Sequence, residues 1–141
     1  MTHEQDLSQT DSLTSANLSE KKALLCAKAA IYKNAERLRV LDLSELSGFT
    51  DYFVICSGAS DRQVQAISES VEHAMELAGT ELLAIEGYAE GRWVLMDFGY
   101  IVVHIFQEAL REYYDLESLW ADAPKIKIPS EFYGSAVTRL N

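Results

Sequence analysis

The chain has 141 residues, 48% of them apolar and 24% charged, with seven Gly and two Pro; this excludes a disordered chain and fits one domain able to fold without disulfides or structural metal. Twelve basic against twenty-two acidic residues leave a net charge of −10, which repels phosphate backbones and anionic lipid and argues against sequence-specific nucleic-acid binding. No apolar run reaches the roughly 18–20 residues of a membrane span, residues 1–18 hold no Lys or Arg, and Cys26 and Cys56 match no zinc or redox spacing, so a reduced cytoplasmic protein without cofactor or metal is expected.

Residues 1–18 are polar and rich in Ser, Thr and Asp, and are expected to form a disordered tail. From Ser19 a helix is predicted, with Leu24, Ala27, Ile31, Ala35 and Leu38 on one stripe and Glu20, Lys21, Lys22, Lys28 and Lys33 mainly elsewhere. Arg39–Leu43 reads as a short strand, Ser44–Thr50 as a turn, and Tyr52–Cys56 as a strand apolar on both faces, hence central in a sheet. Ser60 followed by Gln63 forms a capping box for a helix running on Val64, Ile67, Val71, Ala74 and Ala78 and stopping at Gly79. Three strands follow, Leu82–Ile85, Trp93–Met96 and Ile101–Phe106, the last two joined as a hairpin through Phe98-Gly99-Tyr100. A helix from about Gln107 carries Leu110, Tyr113, Leu116 or Glu117, and Trp120, with Asp115 able to cap a fresh turn and split it. Beyond Asp122, two prolines and the alternation Lys125-Ile126-Lys127-Ile128 suggest an extended surface tail. The order αββαβββα gives a single α/β domain over 19–122, a mixed β-sheet flanked by helices, between tails at 1–18 and 123–141.

Catalytic signals are weak. Gly58-Ala59-Ser60 lies at a strand–helix junction, but it is neither a G-x-G-x-x-G nor a Lys-bearing phosphate loop, and a glycine there reads as the turn that admits the helix. Asp97 is followed by Phe98 and Gly99, so the carboxylate pair that would hold Mg²⁺ for nucleotidyl transfer is missing. His104 shares a strand face with Val102 and Phe106 and reads as a sheet histidine; His73, among Glu69, Glu72 and Glu76, reads as part of a solvated helix face. Trp93 and Asp97 share a face by the period of two, and Asp97 either caps the hairpin turn or faces a basic partner. Residues 81–121 hold eight acidic residues against Arg92 and Arg111, a local balance of −6, together with eight of the fourteen aromatics. That combination suits a surface for a basic protein, though a solvated acidic exterior around an ordinary core has the same composition.

The run Phe49-Thr50-Asp51-Tyr52-Phe53-Val54-Ile55-Cys56-Ser57-Gly58, with Ser60, Arg62 and Gln63, resembles the first signature of the ribosomal silencing factor family, also called Iojap-related. Glu86-Gly87, Trp93–Asp97, Val102–Phe106 and Arg111–Trp120 resemble its second half in order and spacing, so that the likeness covers about residues 20–122. The resemblance implies a nucleotidyltransferase-like fold without transferase activity. It also implies binding to the large ribosomal subunit through its fourteenth protein, a block on joining of the small subunit, and damped translation when nutrients are short. The implied partner-facing residues are Trp93, Asp97, His104, Tyr114, Leu116, Glu117 and Trp120, with a homodimer left open. The competing expectations are a large-subunit assembly factor using the same surface and a nucleotidyltransferase with cryptic activity.

Overall fold

A computed structural model describes residues 18–134; residues 1–17 of the tail expected at 1–18 and the end of the C-terminal tail at 135–141 lie outside the described residues, while Leu18 already belongs to the first helix. Helix α1 covers 18–32 and buries Ala23, Cys26, Ala27, Ala30 and Ile31, while Leu24 is only half-buried. The predicted stripe runs too far, because the helix stops in a turn where Asn34 takes φ 63° and Leu38 belongs to the next strand. Strand β1 is Glu36–Asp42, starting earlier than its apolar pattern suggests; a bulge, with Arg37 at φ 52°, shifts the register between Glu36 and Arg39 and hides the alternation.

Strand β2, Tyr52–Gly58, is buried at every position, as an apolar run with neighbours on both edges requires. Helix α2, Asp61–Leu77, opens with the predicted cap: Gln63 N donates to Ser60 Oγ at 3.2 Å, and Gln63 Oε1 accepts from Ala59 N at 2.6 Å. A Cβ on Gly58 would lie 3.1 Å from the Val64 side chain, so this glycine lets α2 pack closely on its strand. Strand β3 is reduced to Ala84–Glu86, because Leu82 turns into the core while Leu83 stays exposed. Strands β4, Trp93–Asp97, and β5, Ile101–Gln107, form the expected hairpin; helices α3, Glu108–Tyr114, and α4, Leu116–Leu119, follow. Asp115 separates these two helices at φ 46°, breaking the chain where predicted but through its backbone, since its side chain makes no cap bond.

The five strands form one mixed sheet in the order β1-β2-β5-β4-β3, with β2 and β5 parallel and all other pairs antiparallel. One face, carrying Leu38, Val40, Val54, Cys56, Val94, Met96, Val103 and Ile105, is sealed by α1 and α2. Cys26 and Cys56 are free thiols within this core, and burial pushes both well above the usual thiol range. The C-terminal segment runs extended along the edge of the sheet. Asp42 N donates to Pro124 O at 2.8 Å and Ile126 N to Val40 O at 2.8 Å, Leu41 bridges Lys125, and Ile126 and Ile128 pack against the core together with Phe132, which lies in a 3₁₀ turn at Ser130–Tyr133. The segment thereby covers the open edge of β1.

Candidate functional site

The other sheet face is built differently. Register places Ser57, Phe106 and Trp93 in one cross-strand row, Arg39, Ile55, His104, Leu95 and Glu86 in the next, and Leu41, Phe53, Val102, Asp97 and Ala84 in a third. Two short helices, of seven and four residues, lie over this face, α3 against β5 and β2 and reaching Trp93 of β4 only through Tyr114 at its end. Trp120 packs edge-on against Phe53 at 5.7 Å, and Leu116 adds to the same apolar cluster. Over β4 and β3, Trp93, Leu95 and Asp97 are half-buried and Ala84 and Glu86 exposed.

Arg111 holds this partial cover in place. Its side chain is 3% exposed; Nε donates to Glu117 Oε1 at 2.8 Å and Nη1 to Ser57 Oγ at 2.9 Å, tying α3, α4 and β2 together. The hydrogen bond from Arg111 holds the Glu117 carboxyl below the usual range despite burial. On the outside of α3, Arg37 pairs with Glu108 and, at 3.5 Å, with Glu112.

Trp93 is the centre of the aromatic arrangement. Its ring stacks on Phe106 at 4.9 Å and leans on Tyr114 at 4.8 Å; Tyr113 meets Tyr114 edge-on at 5.2 Å. Tyr113, Tyr114 and Leu119 are exposed large apolar groups on the covering helices. Trp93 Nε1 donates to His104 Nδ1 at 3.2 Å, which leaves the proton of the neutral imidazole on Nε2, an atom without a partner among the described residues. Burial beside Phe53 pushes the His104 pKa down to about 4, so the ring is neutral at neutral pH. His104 is a buried sheet histidine beneath the surface.

Asp97 takes the turn role: its Oδ1 accepts from Gly99 N at 2.8 Å, while the half-buried carboxylate stays at the rim of the open strip. Trp93, His104, Tyr114 and Trp120 are thus gathered around the floor of Phe53 and Phe106. Leu116 lies at their inner edge, and Glu117 is engaged by Arg111 rather than displayed free. The sequence reading missed Leu95, which sits midway between Trp93 and Asp97 and follows from the same period of two. It also missed Tyr113 and Leu119 as exposed groups, and Arg111, whose burial no local pattern signals.

The loop before Trp93 is strapped to α2. Gln65 Nε2 donates to Tyr88 O at 2.9 Å and Ala89 O at 3.2 Å, and Gln107 Nε2 donates to Gly91 O at 3.2 Å and to Asp61. Tyr88 donates its hydroxyl to Glu69. Among the described residues no three His, Cys, Asp or Glu come together to hold a metal ion, and no helix is long and apolar enough to cross a membrane.

The class defined here is a single α/β domain with one sheet face sealed by long helices and the other presenting a half-open aromatic strip with acidic margins. The chain belongs to the ribosomal silencing factor family: the family described as "Ribosomal silencing factor during starvation" matches residues 16–139. A ribosomal silencing factor of Bacillus subtilis is 44% identical over 108 residues, spanning 76% of this chain and 92% of that protein. The crystal structure of a Chromobacterium violaceum protein superposes with a TM-score of 0.71 at 34% identity, covering 72% of this chain and 85% of that one. A mouse protein named for mitochondrial assembly of the ribosomal large subunit is 34% identical over 92 residues, 62% of this chain and 40% of its own length.

Proposed function

We propose that this protein acts in the cytoplasm by binding the large ribosomal subunit through the half-open strip and sterically preventing the small subunit from joining. The observation that carries this reading is the placement of Trp93, Tyr114 and Trp120 over a buried aromatic floor, with Asp97 and Glu86 at the margin, in a member of a family named for ribosomal silencing. Partly exposed aromatics on a rigid base supply desolvated anchor area, and rim carboxylates steer a basic protein; the fourteenth protein of the large subunit is the partner that the sequence resemblance indicates. No chemistry is required of the site. Asp97 serves the hairpin turn, and His104 is buried, neutral and already hydrogen-bonded to Trp93.

Sedimentation of the purified protein with isolated subunits tests the proposal. Co-sedimentation with the large subunit alone is expected. Trp93→Ala should weaken it roughly thirtyfold, the equivalent of about 2 kcal/mol for a central aromatic anchor. Tyr114 is half-exposed at the end of α3, so Tyr114→Ala should also lose binding while keeping a cooperative thermal transition. Equal binding to both subunits, or unaltered binding by both variants, would remove the strip from consideration. A second reading, assistance in large-subunit assembly, is favoured by the name of the mouse relative. It predicts incomplete large-subunit particles in cells lacking the protein, whereas silencing alone predicts excess joined ribosomes during starvation.

A further inference from the structure

At the end of the sheet where β2 and β5 begin, a cavity of about 770 Å³ opens between the first described turn of α1, the C-terminal end of α2 and the β4–β5 turn. It shares no lining residue with the aromatic strip. Tyr52, Phe98, Tyr100 and Ile101 give it apolar walls. Three carboxylates from separate elements stand around those walls: Asp42 at the end of β1, Asp51 before β2 and Glu81 after α2.

Charge decides what such a space accepts. Among the described residues, the ion pairs lie on α3 and α4, and Asp42, Asp51 and Glu81 have none. Asp42 uses Oδ1 to accept from Ser44 N and Oγ at 3.0 and 2.6 Å, leaving its other oxygen unbonded. Among the described residues Lys22 supplies the only opposing charge in the lining. Helix α2 ends at the cavity with no basic residue in its last turn, so the negative end of its dipole adds to the carboxylates. The Tyr52 phenol registers the field: burial first, then the carboxylates of Asp42, Glu20 and Asp51, raise its pKa. Half-buried Thr80, also in the lining, has an Oγ1 without a partner among the described residues.

We propose that this cavity binds a linear aliphatic polyamine, its ammonium groups on Asp42, Asp51 and Glu81 and its methylene segments along Tyr52, Phe98 and Ile101. Carboxylates from three elements beside an apolar wall offer both kinds of contact that such a chain can make. Aromatic faces favour ammonium groups over neutral polar ones, and the volume lies in the roughly 300–1,000 Å³ range of small-molecule sites. A hydrated inorganic cation would leave the apolar wall unused.

Titration of the full-length protein with spermidine at about 0.15 M ionic strength, where diffuse attraction to the acidic surface is screened, tests the assignment by calorimetry and amide NMR. One saturable site is expected, with shifts confined to residues 42–44, 51–52, 79–81 and 98–101. Asp51→Asn combined with Glu81→Gln should weaken binding about tenfold, and Lys22→Gln should strengthen it about threefold, in line with partly exposed charge pairs. Glu72→Gln, on the solvent face of α2, should change neither. Shifts spread over the acidic surface, or reproduced by Mg²⁺ at matched ionic strength, would overturn the proposal. Binding of trilysine at least as tight as that of spermidine would also overturn it, by assigning the cavity to a basic peptide.

Discussion

Acidification should act on this fold through His104 before it acts on any carboxylate. The imidazole is 3% exposed, lies against Phe53, and has its pKa pushed from 6.5 to about 4 by burial. The unfolded chain therefore binds a proton between pH 6.5 and 4 that the folded chain refuses, and stability falls as pH drops through that interval. A shift of 2.5 units corresponds to about 3 kcal/mol in total, of which about 2 kcal/mol is lost between pH 6.5 and 4.5. Glu117, whose pKa is lowered by Arg111, adds its own loss only below its ordinary value of 4.5, so the upper part of the interval belongs to the histidine. Protonation also places a hydrogen on Nδ1, the atom that accepts from Trp93, and so breaks the bond that orients the indole. Urea unfolding followed by far-ultraviolet circular dichroism, repeated between pH 7.5 and 4.5, measures the effect. With a denaturant slope of about 2 kcal/mol per molar, the midpoint should fall by about 1 M between pH 6.5 and 4.5. His104→Phe should flatten that dependence. A flat profile in the parent protein, or an unchanged slope in His104→Phe, would refute the reasoning.

Arg111→Met should cost about 3 kcal/mol, near the low end for breaking a buried pair because Glu117 is one-third exposed, and should lower the melting temperature by roughly 6–12 °C. A double-mutant cycle with Glu117→Gln should return a clear coupling energy, and additive effects would contradict the role given to the pair. Gly87→Ala should destabilise strongly, since φ is 79° and the added Cβ would lie 2.1 Å from Trp93 O; unchanged urea resistance in this variant would mean that the loop relaxes freely.

The parts of the fold legible in the sequence are those fixed by local chemistry. The Ser60–Gln63 cap, the apolar run of β2, the Gly99 hairpin and the Asp115 break all depend on residues within a few positions of one another. What stayed hidden depends on distant contacts. Arg111 in the run Glu108-Ala109-Leu110-Arg111-Glu112 has the composition of a solvated helix, and its burial goes with Glu117 on the next helix and Ser57, 54 residues away. The Arg37 bulge and the pairing of Pro124 and Ile126 with β1 likewise require the assembled sheet. Of the aromatic strip, the face shared by Trp93 and Asp97 was readable from strand period. That Tyr114 leans on Trp93, and that Glu117 turns inward, follows only from how α3 and α4 lie on the sheet.

That dependence bears on affinity. A strip of aromatics on a mobile loop would lose side-chain and loop entropy on binding, offsetting part of the contact energy. Here Trp93 opens a strand, stacks on the fully buried Phe106 and is fixed at its indole nitrogen by His104. The preceding turn is held from α2 by Gln65, and from β5 by Gln107 through Gly91 O; the Gly91 Cβ that would crowd Asp61 O at 2.9 Å is absent. Tyr114 ends a helix clamped by Arg111. If these side chains bind the large subunit as proposed, each is set before the partner arrives, and cutting a strap should weaken binding without removing any of them. Gln65→Ala leaves Trp93, Tyr114 and Trp120 in place and removes two hydrogen bonds to the loop. It should lower large-subunit affinity several-fold while the urea midpoint changes little. Unchanged affinity in Gln65→Ala would mean that the stacking of Trp93 on Phe106 alone positions the indole.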